Sequence, residues 1–151
     1  NPEDMVAYTN RSVAKLQMGD LNGALADITE AISRGPKLAA GFNNRGQIKW
    51  QMHDLRGALE DTTEAIRLDP SFTVAHANRG EIKVALGDFQ GAIEDCNQAL
   101  SHNPNYAEAF LYRGQAYQGL KDREAAREDF KKAVSLNPAL SEKVSALLAA
   151  P

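Results

Sequence analysis

Apolar positions in this chain recur at intervals of three and four residues. In the stretch "FQGAIEDCNQAL" they fall at Phe89, Ala92, Ile93, Cys96, Ala99 and Leu100, which together make one face of a helix. Asp88 stands immediately before this stretch, where a helix N-cap belongs. Asp20, Asp54 and Asp122 repeat the arrangement at a spacing of 34 residues. Pro36, Pro70, Pro104 and Pro138 keep the same spacing, and each stops a helix because proline cannot donate to the previous turn. Gly19 and Gly87 lie just ahead of two of the aspartates and suit the left-handed residue that closes a preceding helix. Each 34-residue unit therefore reads as two helices joined by a tight turn.

With proline assigned to position 32 of the unit, the units run over 5–38, 39–72, 73–106 and 107–138. Position 8 is Ser12, Gly46, Gly80 and Gly114; position 20 is Ala24, Ala58, Ala92 and Ala126; position 27 is Ala31, Ala65, Ala99 and Ala133. Small residues there let the paired helices approach closely, where a leucine would overpack by about 1–3 kcal/mol. Neither helix can bury its apolar face alone, so neighbouring units must stack. This pattern resembles the tetratricopeptide repeat. The resemblance implies an all-α, right-handed superhelical solenoid of four helix-turn-helix units. Residues 139–150, "ALSEKVSALLAA", are expected to add a capping helix. Two departures are visible. The large aromatic usual at position 4 is Tyr8, Phe42 and Phe110 but His76 in the third unit, and position 11 is Lys15, Lys49, Lys83 and Tyr117.

The whole of 1–151 reads as a single domain. It lacks an initiator methionine, and Pro2 falls on the proline grid behind Asn1, as Pro104 and Pro138 follow Asn103 and Asn137. These features lead us to expect a piece of a longer protein with an upstream unit. A simple N-terminal cap is the other reading.

An arginine occupies position 7 of every unit: Arg11, Arg45, Arg79 and Arg113. Sixteen residues later stand Asp27, Asp61, Asp95 and Asp129. In an antiparallel hairpin turning near position 15, these two positions lie roughly level, within a unit or across to its neighbour. Guanidinium and carboxylate match as a bidentate pair, so we expect a scaffolding ladder of ion pairs rather than a phosphate-binding stripe. Lys15, Lys49 and Lys83 lie one turn further along, with Glu60, Glu94 and Glu128 as expected neighbours.

Composition narrows the chemistry. The formal charge is −3, with 17 basic residues against 20 acidic ones, which gives no reason to expect nucleic acid or an anionic membrane as partner. No apolar run is long enough to insert into a bilayer. The start "NPEDMVAYTN" has no signal-peptide character, and a cytoplasmic location is expected. Cys96 is the sole cysteine, and His53, His76 and His102 lack ligand spacing, so neither a metal nor any cofactor is expected. No nucleophile elbow, phosphate loop or cysteine–histidine arrangement is present, and the chain is not expected to be an enzyme. Cys96 sits at a core position as an inert thiol, and His76 is expected as a half-buried packing residue.

In proteins of the resembled family, positions 2, 5, 6, 9, 12 and 13 of the first helix face a concave groove that holds peptides. Excluding position 6, the twenty positions of this chain so mapped contain no Lys or Arg. The family's clamp for the C-terminal carboxylates of chaperones requires Lys, Asn and Arg at defined positions. Those positions hold Thr9, Val13, Asn44, Val74 and Asn78 in one register, and Asn43, Gln47, Asn78, Glu108 and Tyr112 in the next. Neither register fits, and a chaperone-type carboxylate clamp is not expected. Position 6 is Asn10, Asn44, Asn78 and then Tyr112. An amide offers donors and an acceptor together, so these asparagines resemble a short ladder for a peptide backbone; hydrogen bonds between neighbouring first helices are the alternative. Asn43, Gln47, Trp50, Glu81 and Gln115 complete the candidate peptide-binding set, with Trp50 as an anchor or as a core aromatic. The expected function is a non-catalytic interaction module for a neutral to mildly basic peptide. The alternatives are a scaffold that self-assembles through its end units or groove, and the targeting arm of a larger enzyme.

Overall fold

The computed structural model describes residues 2–149. Helix α1 spans Pro2–Gln17 and α2 Leu21–Arg34, followed by α3 (Ala39–Gln51) and α4 (Leu55–Leu68). The third pair is α5 (Thr73–Leu86) with α6 (Phe89–His102), and the fourth is α7 (Ala107–Gly119) with α8 (Arg123–Leu136). A 3₁₀ turn over Pro138–Leu140 leads into α9, Ser141–Ala149. The expected capping helix is thus split: its first residues form the tight turn, and Ala150 lies outside the described residues, as do Asn1 and Pro151.

Local chemistry explains the boundaries. Oδ1 of each cap aspartate accepts a backbone N–H three residues on, Asp20 from Gly23 at 2.9 Å, Asp54 from Gly57 at 2.9 Å, Asp88 from Gly91 at 3.0 Å and Asp122 from Ala125 at 3.1 Å. This satisfies one of the donors that a helix start leaves unpaired. The residue before each cap is left-handed, at Gly19 (φ 79°) and Gly87 (φ 81°), but also at His53 (φ 63°) and Lys121 (φ 65°). Those two side-chain-bearing residues adopt a conformation that ordinarily costs about 1–2 kcal/mol, held there by the same cap. At the far end of the second helices, Asp69, Asn103 and Asn137 are extended, as the residue before a proline must be. Their side chains accept from the N–H of Ser71, Asn105 and Ala139, closing the exit turn.

Within each unit the two helices pack tightly because position 8 is small. A Cβ on Gly80 would come within 2.8 Å of Cys96 Sγ, and one on Gly114 within 2.7 Å of Phe130 Cε1. In the first unit Ser12 takes this place, and its buried hydroxyl donates to the Ala24 carbonyl at 2.8 Å. Between units, each second helix packs on the next first helix, α2 on α3, α4 on α5 and α6 on α7. First helices also touch one another, α3 with α5 and α5 with α7, whereas among the described residues the second helices make no more than marginal contact with each other. The stack therefore curves with the first helices inside. The result is an all-α solenoid.

Helix α9 takes the place of a fifth first helix. Val144 is buried in one core with Leu111, Tyr112, Phe130 and Ala133, and Leu140 and Leu147 pack against it. Gln118 Nε2 donates to the Leu147 carbonyl at 2.9 Å, tying α9 to α7. Cys96 is fully buried, and burial pushes its thiol up to about 12. His76 is buried rather than half-buried: its Nε2 donates to the Pro70 carbonyl at 2.9 Å.

Two substitutions test this packing by thermal or urea unfolding. Gly80→Leu should cost about 1–3 kcal/mol, because neither Cys96 nor the Ala92 carbonyl can retreat. Gly87→Ala, in open space but at positive φ, should cost about 1–2 kcal/mol through backbone strain alone. Unchanged stability in either would contradict the packing or the turn.

Candidate functional site: the face of the first helices

The position-7 arginines all point toward the second helix of their own unit. Arg11 reaches Asp27 through Nε and Nη2, both at 2.6 Å. Arg45 reaches Asp61 at 2.8 and 2.6 Å, Arg79 reaches Asp95 at 2.8 and 2.6 Å, and Arg113 reaches Asp129 at 2.8 Å twice. All four carboxylates are buried, between 3% and 6% exposed. Three arginines also lie over the position-4 ring, Arg11 on Tyr8, Arg45 on Phe42 and Arg113 on Phe110, each just over 5 Å from the centroid. In two units the remaining guanidinium nitrogen reaches across to the preceding unit: Arg113 Nη1 donates to Asn97 Oδ1 at 2.6 Å and Arg79 Nη1 to Thr63 Oγ1 at 3.4 Å.

The position-11 lysines behave differently from expectation. Lys15, Lys49 and Lys83 contact Asp27, Asp61 and Asp95 at 2.9, 2.8 and 2.8 Å, not Glu60 or Glu94. The reason is geometric: a lysine one turn beyond the arginine faces the same inward carboxylate, whereas position 22 is turned out to solvent. Each of the first three aspartates is therefore clamped by two cations. The fourth unit has Tyr117 at position 11 and leaves Asp129 to Arg113. The Arg11 hydrogen bond, supported by Lys15, holds the Asp27 carboxyl well below the usual range. For Asp95, burial works upward, but His76, Arg79 and Lys83 outweigh it and the carboxyl is again held low.

With the arginines consumed in the scaffold, the inner face is left to neutral and acidic side chains. Asn10 is exposed on α1, Asn44 half-buried on α3, and Asn78 and Tyr112 buried on α5 and α7. Asn78 Nδ2 donates to Asn43 Oδ1 at 2.9 Å, so these two buried amides link α5 to α3. Asn78 retains its carbonyl oxygen and one amide hydrogen for other contacts. Beside this pair opens a pocket of about 160 Å³ lined by Gln47, Trp50, Gln51, Asn78, Glu81 and Ile82. Asn10, Asn43, Asn44, Tyr112 and Gln115 do not line it.

Two features make the pocket chemically specific. Trp50 Nε1 is buried and has no hydrogen-bond partner among the described residues, which is costly for an indole N–H. Glu81 is the pocket's one charged residue, and burial raises the proton affinity of its carboxyl, while Lys143 and Tyr112 work against that rise. Lys143, from α9, brings its Nζ to 3.8 Å from Glu81 Oε1 and lies over the Tyr112 ring at 5.5 Å. Sequence reasoning misses Lys143 because it counts groove positions in four units. Extending the grid to a fifth first helix at residue 141 places α9, and with it this cation, at the groove. Burial also raises the Tyr112 hydroxyl, and the neighbouring Glu81 charge adds to the shift.

No group of histidine, cysteine and carboxylate side chains suited to a metal ion occurs among the described residues. Among them, no helix is long and apolar enough to cross a membrane.

Stacked helix pairs with a polar pocket on the inner face define a helical-repeat scaffold of the kind used for protein interaction. Residues 73–106 and 107–140 each match a family model described as "Tetratricopeptide repeat", so these two units are repeats of that family. Solved structures agree on the fold. A thermophilic repeat protein of this family from Thermus thermophilus superposes with a TM-score of 0.83 at 21% identity, covering 89% of this chain and 75% of that one. The first such domain of Spaghetti (RPAP3), bound to the HSP90 peptide SRMEEVD, gives 0.77 at 21% identity and covers 80% of this chain and 96% of that one. MamA gives 0.78 at 20% identity, covering 94% and 83%. No curated protein matches the chain by sequence.

The lowered carboxyl of Asp95 makes stability depend on pH. Its folded-state affinity for protons lies below that of the unfolded chain, at about 3.9, so its contribution is complete at neutral pH and is lost as pH falls below about 4. Melting temperature followed from pH 7 to pH 2 should fall below pH 4 in the wild type. Asp95→Asn should be destabilised at pH 7 and should show a shallower fall. An equally steep fall in the variant would place the acid sensitivity elsewhere.

Proposed function

We propose that this chain is a non-catalytic interaction module whose inner face holds an extended, neutral to mildly basic segment of a partner protein. The observation that carries this reading is the pocket at α3 and α5, where amides from Gln47, Gln51 and Asn78 converge beside Glu81. An extended backbone supplies alternating donors and acceptors for the amides. The amide-bearing side chains sit on rigid helices, so binding orders few protein groups. The partner of the Spaghetti domain, SRMEEVD, ends in acidic residues. Glu81 and Glu108 on the inner face here would repel such a tail, and the clamp positions hold no cation.

Selection from a random heptapeptide library, acetylated and amidated at its ends, tests the reading. Wild type should enrich a sequence family, and Gln47→Ala and Asn44→Ala, neither in the core, should each weaken the selected peptides about tenfold. Absence of any selected family, or affinities unchanged in both variants, would overturn it.

A second reading, self-association, has one observation in its favour. Positions 3 and 10 are buried in the other units, as Gly41 and Ile48, Ala75 and Ile82, and Ala109 and Ala116, but in α1 Ala7 and Ala14 are exposed beside Val6, Val13 and Met18. Solution mass measured across a hundredfold range of concentration separates the readings, since the pure adaptor stays monomeric.

A further inference from the structure

We infer that Glu81 is a subsite for a single lysine or arginine side chain of the bound segment, and that Lys143 of α9 is its internal competitor. This rests on the peptide-groove reading above and gives it a specificity. The pocket around Glu81 is lined by the amides of Gln47, Gln51 and Asn78, by Trp50 and by Ile82. Its carboxylate is partly desolvated, which raises the energy of the bare anion and makes a cation the favoured neighbour. The cation supplied by the chain itself satisfies that demand incompletely. Lys143 Nζ stands at 3.8 Å from Oε1, outside hydrogen-bonding range, and its side chain is 50% exposed.

Its position also shows how it competes. Lys143 approaches from the α9 end, over the face of Tyr112, while the pocket itself is lined by residues of α3 and α5 alone. A guanidinium or ammonium entering from a segment laid along α3 and α5 can meet the Glu81 carboxylate directly, in a pocket that Trp50 also lines. The same segment's backbone can meet the amides of Gln47 and Gln51, which line the pocket and are exposed. Lys143 leaves for solvent, which an exposed lysine does at small cost. Glu81 thus selects charge, and α9 sets how tightly.

The peptides selected by the library, and their single-position variants, provide the test, with the emission of Trp50 as the signal, since the chain has one tryptophan. One position of the selected family should be Lys or Arg. Replacing it with Gln should weaken binding to the wild type about tenfold, and to Glu81→Gln by less than twofold. Lys143→Ala, at a side chain 50% exposed and with its fold checked by thermal melting, should tighten the basic peptide several-fold and leave the Gln peptide unchanged. Selected peptides without a basic position, or equal discrimination by wild type and Glu81→Gln, would overturn the subsite while leaving the groove reading in place. Weaker binding of the basic peptide to Lys143→Ala would overturn the competition. A library that yields no binder fails both readings together.

Discussion

A carboxylate buried between two helices is the constraint on which this structure depends. Asp27, Asp61, Asp95 and Asp129 each sit inside a helix pair, where a lone anion would be prohibitive. The guanidinium at position 7 removes that penalty and, because its fork fits both carboxylate oxygens, also fixes the level of one helix against the other. The small residue at position 8 follows from the same requirement. The missing side chain at Gly80, where a Cβ would meet Cys96 Sγ at 2.8 Å, lets the helices come close enough for Arg79 to meet Asp95 at 2.8 and 2.6 Å. Packing and charge are therefore one specification, written four times.

That specification shapes the functional face by subtraction. Arginine is a common tool for gripping anions, yet the chain commits all four of its position-7 arginines, and three lysines beside them, to internal carboxylates. What remains around the Trp50 and Glu81 pocket is amide, aromatic and acid, with Lys143 of α9 as the one cation beside it. The pocket at Trp50 and Glu81 is the place where this leaves polar demands unmet, and such demands are what a binding partner can answer. The charge character of the groove is thus a consequence of how the hairpins are held.

Much of this is legible in the sequence because a repeat multiplies each signal. One aspartate before an apolar stretch is weak evidence for a cap; Asp20, Asp54, Asp88 and Asp122 in register are strong evidence, and the sixteen-residue step from arginine to aspartate is legible for the same reason. Features that occur once are not. His76 reads as half-buried because nothing in its own unit shows that Pro70 offers its ring nitrogen an acceptor. The lysines pair on paper with glutamates because spacing alone cannot say which of two adjacent acids turns inward. The Asn78–Asn43 bond is an instance of the inter-helix alternative for position 6, but its partner thirty-five residues away depends on the angle between units, which no single repeat encodes. Lys143 is invisible for the same reason: its role arises from where the stack ends.

The most direct measurement is a double-mutant cycle on Arg113 and Asp129, the pair without a second lysine, with stability read by urea unfolding of Arg113→Ala, Asp129→Ala and the double variant. A coupling energy of about 1–3 kcal/mol is predicted, larger than that for Arg45 and Asp61, where Lys49 still neutralises the aspartate when the arginine is gone. A coupling near zero at Arg113 and Asp129 would contradict the account, because the helix pairs would then be held by apolar packing alone.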